Sequence, residues 1–406
     1  MTSRVECASE ESSLRPSIVY SLMYFALNAA NAVSLAFFPL HCKHLGFSPF
    51  KIALISAASN IGTILGAPGF TALAHYAVPA RKILRVCSLG CVALYLPLLV
   101  TSYFPLLIAL WLMFAICWSG CNVCVDTRAI RESLAGRIRF ERVRIWGSIG
   151  FIVSLTVLGQ AVDRIGVESI VVFGLLFAGA IALAASPLLP RLAAATGLAA
   201  EERSGSSIRS IPGRGCFFMV LVAVALCWTS HGALYVYFSI YLRALGWSGS
   251  MISVAWDIGV VAEVILFMCF ARIAERVSLV RILQTSAALT VLRWLILSST
   301  ADPEIILSSQ VLHAFSFGSF YLASLKLVHQ ILPPDFRDRG QGFLSGFGSG
   351  LGSLSGRVIF GALASGIPDA VDYHLLFRSS AVLAVLSFTA ASAAVKLHRP
   401  HVTADG

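Results

Sequence analysis

Charge is what this sequence has least of. Asp, Glu, Lys and Arg make up 12% of its 406 residues, about half the share of a soluble domain, which excludes a water-soluble globule. Ten-residue stretches that alternate apolar and polar side chains are missing, which excludes an outer-membrane barrel. A cleavable signal is missing too: Met1 to Pro16 mixes Glu6, Glu10 and Glu11 with Arg4 and Arg15, and the first apolar run, with Asn28 and Asn31, is too long and polar for an h-region. Neither GxxxxGK[ST] nor GxGxxG occurs, so the glycines between Gly340 and Gly361 form no phosphate loop. No nucleophile motif or metal-ligand spacing points to an enzyme. Cys121-Asn-Val-Cys124 is a lone CxxC with no second pair or nearby His; like Cys87, Cys91, Cys117, Cys227 and Cys269 it lies in an apolar run, where thiols act as small packers.

What is present is apolar length. Hydrophobic residues reach 57% and the mean hydropathy is +0.83. Runs of roughly 20 apolar residues, enough to cross a bilayer, recur near 17–38, 51–73, 83–101, 104–126, 144–161, 168–189, 216–241, 250–271, 279–299, 304–325, 341–364 and 374–395. The expected fold is all-α and integral to the membrane, with twelve transmembrane helices. The net charge of +10 would suit nucleic acid, but its distribution points to the lipid bilayer instead. Arg81, Lys82 and Arg85, the cluster Arg128 to Arg144, then Arg191 to Arg214, Arg272 to Arg281, Lys326 to Arg339, and Lys396 with Arg399 all fall on one face; the other holds Lys43, Lys51, Arg164 and Arg243. By the positive-inside rule the basic face and both termini are cytoplasmic.

The chain divides into a six-helix bundle over 1–190, a cytoplasmic linker rich in Gly, Ser and Arg over 191–215, and a second bundle over 216–406. The halves repeat each other. Phe38-Pro-Leu-His-Cys-Lys-His-Leu45-Gly46-Phe47-Ser48 aligns with Phe238-Ser-Ile-Tyr-Leu-Arg-Ala-Leu245-Gly246-Trp247-Ser248 at a constant offset of 200, which continues through Ile52/Ile252, Ala74/Ala274 and Arg81/Arg281. A gap-free register of this length implies two bundles repeated in parallel.

Polar residues inside the spans mark the function. Asp257 and Glu263 share the eighth run, Arg293 lies in the ninth and His313 in the tenth. A charge at bilayer depth costs roughly 2.5–3.5 kcal/mol on insertion scales and persists where it is paired or faces water. Counting helical rise from the cytoplasmic ends puts Asp257, Arg293 and His231 at roughly 22 Å, His313 near about 20 Å and Glu263 near about 14 Å, all inside the hydrocarbon. Arg293 is expected to be the counter-ion of Asp257, Glu263 or both, with a purely structural ion pair as the alternative. Trp256 and Glu263, seven apart, share a helical face, whereas Asp257 is turned by about 100°. Asn28 and Asn31 share one face of the first run, and Tyr235 and Trp256 provide aromatic surface at the same depth. His231 either bonds a substrate or satisfies a neighbouring carbonyl.

Two six-helix halves, a central linker and inside termini resemble the major facilitator superfamily over nearly the whole chain. Its loop signature survives after the second run as Thr71-Ala-Leu73-Ala74-His75 and Arg81-Lys82, with His75 where an acid belongs; the Gly-Pro signature of drug exporters is absent from the fifth run. Arg142-Val-Arg144-Ile-Trp146-Gly-Ser-Ile-Gly150, Trp256-Asp-Ile-Gly259-Val-Val-Ala-Glu263, Val291-Leu-Arg293-Trp294 and Val311-Leu-His313 resemble the phenylpropionate permease family and, more distantly, lactose permease of the oligosaccharide–proton symporters. That resemblance implies substrate contacts from Glu263, Arg293 and His313, and puts Ser316 where lactose permease has its proton-carrying acid. It also makes Asp126 and Arg144, eighteen residues apart, the match of an acid–Arg pair that grips sugar; without it, Asp126, Arg128 and Arg131 read as a solvated helix end.

The resulting expectation is a monomeric secondary carrier of the inner membrane. It binds a small-molecule substrate through Asn28, Asp126, Arg144, His231, Tyr235, Trp256, Glu263, Arg293 and His313, and couples to protons through Glu263, Asp257 and His313, with no cofactor beyond the proton. Aromatic surface beside interior Arg suits uptake of an aromatic carboxylate, and a sugar or nucleoside is the alternative. An exporter ranks lower for want of the Gly-Pro signature, and a non-transporting sensor lower because both tails are short.

Overall fold

The structure, a computed structural model, describes residues 2–75, 78–188, 214–366 and 371–397, and all the regular structure among them is helical. Helix is what lipid permits, because it satisfies every backbone N–H and C=O within one segment. The membrane-length helices are α1 (Pro16–His44), α2 (Pro49–Leu73), α3 (Ala80–Leu99), α4 (Phe104–Leu134), α5 (Phe140–Ile165), α6 (Ser169–Leu188), α7 (Arg214–Ala244), α8 (Gly249–Arg276), α9 (Leu279–Ser299) and α10 (Pro303–Ile331). Next, Pro334–Phe343, Leu344–Leu351 and Gly352–Ser365 follow one another without a break as α11, less apolar than the others because of its glycines, serines and Arg357. The helix Tyr373–Leu397 is α12. Each of the twelve expected runs is therefore helical. The linker expected over 191–215 lies outside the described residues as far as 213, as does the side chain of His75.

The chain falls into two compact units, Met1–Glu201 with Leu242–Ser253, and Glu202–Tyr241 with Val254–Gly406. Within the first, α1 packs on α5 and α6, and α3 packs on α4 and α6. Within the second, α7 packs on α11 and α12, and α9 on α10 and α12, the same pairs moved on by six helices. Glycine permits the tightest of them: a Cβ on Gly150 would lie 2.4 Å from the Phe25 carbonyl oxygen between α1 and α5, and one on Gly232 would lie 2.3 Å from the Gly356 carbonyl carbon between α7 and α11.

The repeat extends to single hydrogen bonds. In the turn after α1 the Gly46 N–H donates to the Lys43 carbonyl (3.0 Å) and Phe47 N–H to Cys42 (3.2 Å); in the turn after α7, Gly246 N–H donates to Arg243 (3.0 Å) and Trp247 N–H to Leu242 (3.1 Å). Both glycines are left-handed, with φ of 77° and 84°. The stretch Leu242–Ser253 belongs to the first unit because Asp163, at the end of α5, supplies a cap. Its carboxylate accepts from the N–H groups of Gly249 (2.5 Å) and Ser250 (2.9 Å) and from the Ser250 hydroxyl (2.6 Å), while the Ser253 hydroxyl donates to the Leu155 carbonyl (2.6 Å). A carboxylate on the first N–H groups of a helix satisfies orphan donors and opposes the positive end of its dipole.

Among the described residues the ideal helix is interrupted by π turns at Val33–Phe37 in α1, Ala314–Ser319 in α10 and Leu344–Leu351 in α11, by 3₁₀ turns at Leu96–Leu99 in α3, Ser186–Leu188 in α6 and Gln310–Leu312 in α10, and by a break at His231 in α7, between Arg214–Ser230 and Gly232–Ala244. Such turns often accompany functional sites.

Nothing lies within 4 Å of a Cβ built on Gly46 or Gly246, so alanine at either position meets conformational strain alone. Gly46→Ala and Gly246→Ala should each destabilise by about 1–2 kcal/mol, to a similar extent, as read from thermal unfolding of the purified protein in detergent.

Candidate functional site

In the first unit the polar residues are assembled by the close approach of α1 and α5. Gly147 lets the Asn28 amide lie against α5, where a Cβ would be 2.6 Å from Nδ2. That amide donates to the Tyr24 carbonyl (3.0 Å), one turn back. The same approach sets Arg144 beside Tyr24 and leaves both against Asp126 of α4. The Tyr24 hydroxyl donates to Asp126 Oδ1 at 2.7 Å, and Arg144 Nη1 reaches the same oxygen at 3.3 Å. The Arg144 guanidinium lies 5.7 Å from the Tyr24 ring centre and 5.9 Å from that of Phe140, two rings at 86° to each other. Its side chain is 58% exposed, that of Asp126 39%, and Tyr24 is buried. The end of α4 is not the solvated helix end that its charges alone imply. Glu132 is buried there between Arg128 (2.7 Å) and Arg137.

In the second unit the centre is Arg293 of α9, 2% exposed. Three side chains of α10 hold its guanidinium: Nη2 donates to Gln310 Oε1 (2.8 Å), and Nη1 donates to His313 Nδ1 (3.0 Å) and Ser316 Oγ (3.1 Å). A 3₁₀ turn over Gln310–Leu312 helps to align them, because positions three apart eclipse in such a turn. A guanidinium only donates, so His313 accepts at Nδ1 and, as the neutral ring, carries its proton on Nε2. That nitrogen faces Glu263 Oε2 at 3.7 Å, beyond hydrogen-bond distance. The approach of α8 to α10 that places Glu263 runs over glycine: a Cβ on Gly259 would lie 3.2 Å from His313 Cβ, and one on Gly318 3.1 Å from Glu263 Cγ.

Aromatic rings enclose this centre. Arg293 lies 5.0 Å from the Trp294 ring, whose Nε1 donates to the Ser230 hydroxyl (3.1 Å). His231 stands edge-on to Trp294 at 4.9 Å, and Trp228, Tyr235 and Phe317 continue the set. Arg357 of α11 sits over Tyr235 at 5.2 Å and donates to the Ser353 carbonyl and hydroxyl.

Several sequence expectations change here. Arg293 is not bonded to Glu263 or Asp257. His313 stands between Arg293 and Glu263, and neutral side chains of α10 take up the guanidinium, so the group that Glu263 faces is the neutral imidazole of His313. Of the two readings of His231, its Nδ1 lies 2.8 Å from the Cys227 carbonyl oxygen, one turn back, which is the carbonyl reading. Trp256 is buried and donates from Nε1 to Ser239 Oγ (2.9 Å), tying α8 to α7. Asp257 is half-buried on α8 and lies outside the Arg293 hydrogen-bond set. Tyr24, Gln310 and Ser316 are contacts that a search for charged residues passes over. The signals for them were the four-residue spacing of Tyr24 and Asn28, and the three-residue spacing of Gln310, His313 and Ser316.

The profile of the MFS_1 like family matches residues 17–376. The chain belongs to that family. As an MFS_1 like protein it is a multi-pass membrane transporter of small solutes and not an enzyme. It is 25% identical over 310 residues to a probable 3-phenylpropionic acid transporter of Escherichia coli (strain K12), which covers 76% of this chain and 81% of the relative. It is 24% identical over 354 residues to the maltose permease of Geobacillus stearothermophilus, covering 85% and 86%. The crystal structure of the nucleoside transporter NupG superposes with a TM-score of 0.78 at 15% identity, covering 94% of this chain and 99% of that one, a likeness of fold.

In this MFS_1 like chain the buried Arg293 depends on neutral partners, so losing one strands a charged donor. Gln310→Leu should destabilise the protein by about 1–3 kcal/mol. In an Arg293→Met background, where no charge is stranded, the same substitution should cost far less. Thermal or denaturant unfolding of the four proteins measures the difference.

Proposed function

We propose that the chain is a proton-coupled uptake carrier for a small aromatic carboxylate. It works by alternating access as a monomer in a bacterial inner membrane, with both termini in the cytoplasm. The observation that carries this reading is Arg144, an exposed guanidinium on a membrane-spanning helix, set against the rings of Tyr24 and Phe140 and touching its carboxylate partner through a single contact of 3.3 Å. Such a group offers an aromatic anion both a bidentate charge contact and aromatic surface. The name of the Escherichia coli relative points to the same chemistry. The basic face of the sequence supports the orientation.

The proton is assigned to Glu263, a carboxylate at membrane depth whose partner is an imidazole rather than a guanidinium. His313 orients it, and Asp257 is a second carboxylate on the same helix. Asn28, Asp126, His231, Tyr235 and Trp256 shape the two polar clusters around Arg144 and Arg293. A sugar or nucleoside symporter is the second reading, favoured by the likeness to a maltose permease and by the capacity of Asp126 and Glu263 to accept from hydroxyls.

In proteoliposomes an inward proton gradient should accelerate accumulation of a phenylpropionate-like acid, and Glu263→Gln should abolish that acceleration while leaving exchange intact. Accumulation indifferent to the gradient would refute coupling. Arg144→Gln should raise the KM for aromatic carboxylates by about 10-fold or more, the worth of a charge-assisted hydrogen bond. Thermal-shift protection by sugars or nucleosides, with none by aromatic acids, would select the second reading.

A further inference from the structure

Asp126 and Arg144 are charged partners, yet the short bond to Asp126 is not the one from Arg144. The Tyr24 hydroxyl donates to Oδ1 at 2.7 Å, whereas Arg144 Nη1 stands 3.3 Å from the same oxygen. Left to itself, an Arg–carboxylate pair closes into a fork in which two parallel N–H groups meet two oxygens. Here it does not close. Arg144 engages Asp126 through a single nitrogen, and its side chain stays 58% exposed. The phenol doing this is itself enclosed. Tyr24 is 1% exposed, its ring stands edge to face with Phe140 at 6.4 Å, and its backbone carbonyl is held by Asn28.

We infer that Tyr24 is a positioning residue that keeps the Arg144 fork open for an incoming anion. It does so by holding the Asp126 carboxylate through its hydroxyl, so that Asp126 cannot turn both oxygens onto the guanidinium. The same bond leaves Asp126 with a donor when Arg144 turns toward a ligand, which lowers the cost of the exchange. The ligand class that benefits is a carboxylate or another small planar anion able to take two parallel N–H donors; a neutral hydroxyl compound gains little from an open fork. This inference rests on the reading of Arg144 as the anion anchor, and its test includes a measurement that needs no substrate.

Tyr24→Phe removes the hydroxyl and leaves the ring. In membranes treated with phenylglyoxal, which reacts with accessible guanidinium groups, modification of the peptide that contains Arg144 should slow by at least roughly 10-fold in Tyr24→Phe, the worth of one charge-assisted hydrogen bond. In an Asp126→Asn background, where no carboxylate can close on the fork, Tyr24→Phe should make no further difference. In transport, Tyr24→Phe should raise the KM for an aromatic carboxylate by a similar factor with little change in maximal rate, and again not when Asp126 is Asn. Equal phenylglyoxal rates in wild type and Tyr24→Phe overturn the inference. So does a change of the same size in the Asp126→Asn background, which marks a merely structural tyrosine. Wild-type protein that takes up no aromatic carboxylate refutes the substrate reading, while the phenylglyoxal rates still decide the role of Tyr24.

Discussion

A guanidinium deep inside a membrane protein has to find its hydrogen bonds before anything else in its neighbourhood can settle. Arg293 finds them on one helix, from Gln310, His313 and Ser316, and much of the second unit follows. The tautomer of His313 is decided by the donor beside it, which fixes what Glu263 meets. The 3₁₀ turn over Gln310–Leu312 brings Gln310 into line with His313, and the π turn over Ala314–Ser319 contains Ser316. The approach of α8 over Gly259 and Gly318 then brings the carboxylate within reach of the imidazole. Three neutral partners leave the positive charge uncancelled, which an ion pair would not do. That residual charge is a resource for a carrier of anions and a burden on stability.

The first unit solves a related problem in the opposite way. Arg144 is accessible, its partner is a carboxylate, and the contact between them is long. What is rigid there is the surround: the α1–α5 contact across Gly147 and Gly150, and the Trp118 indole, which donates to the Leu27 carbonyl and ties α4 to α1. A loosely held cation in a firmly held frame suits a group that must exchange partners, just as a tightly held one suits a group that sets a field.

Large-scale architecture was legible in the sequence because it rests on quantities that composition records. Apolar run length predicted each helix, and the 200-residue register predicted that the turns at Gly46 and Gly246 would match. The Asp126–Arg144 contact was legible too, from eighteen residues of spacing together with a resemblance. The Arg293 site was not. A charge inside an apolar run draws attention to the nearest opposite charge, and this one is satisfied by an amide, a hydroxyl and an imidazole. These side chains have no distinctive signature, and interruptions of the regular helix, invisible to a 3.6-residue period, arrange them. Tyr24 was hidden for a different reason: an aromatic residue in a span ordinarily reads as packing, and only the distance to Asp126 gives its hydroxyl a task.

The irregular turns of α1 and α7 have a mechanical meaning. At the 200-residue offset the π turn at Val33–Phe37 corresponds to residues 233–237, directly after the break at His231. The leading helix of each half thus departs from regular α-geometry at nearly the same position along its sequence, and a helix bends most readily at such a departure. Each is two helical segments that meet at an irregular joint rather than one uniform beam. Asn28 and Asn31 in one half, and His231 and Tyr235 in the other, ride close to that joint, so a small flexure there swings polar side chains through an arc while the distant ends of the helix stay anchored in their packing.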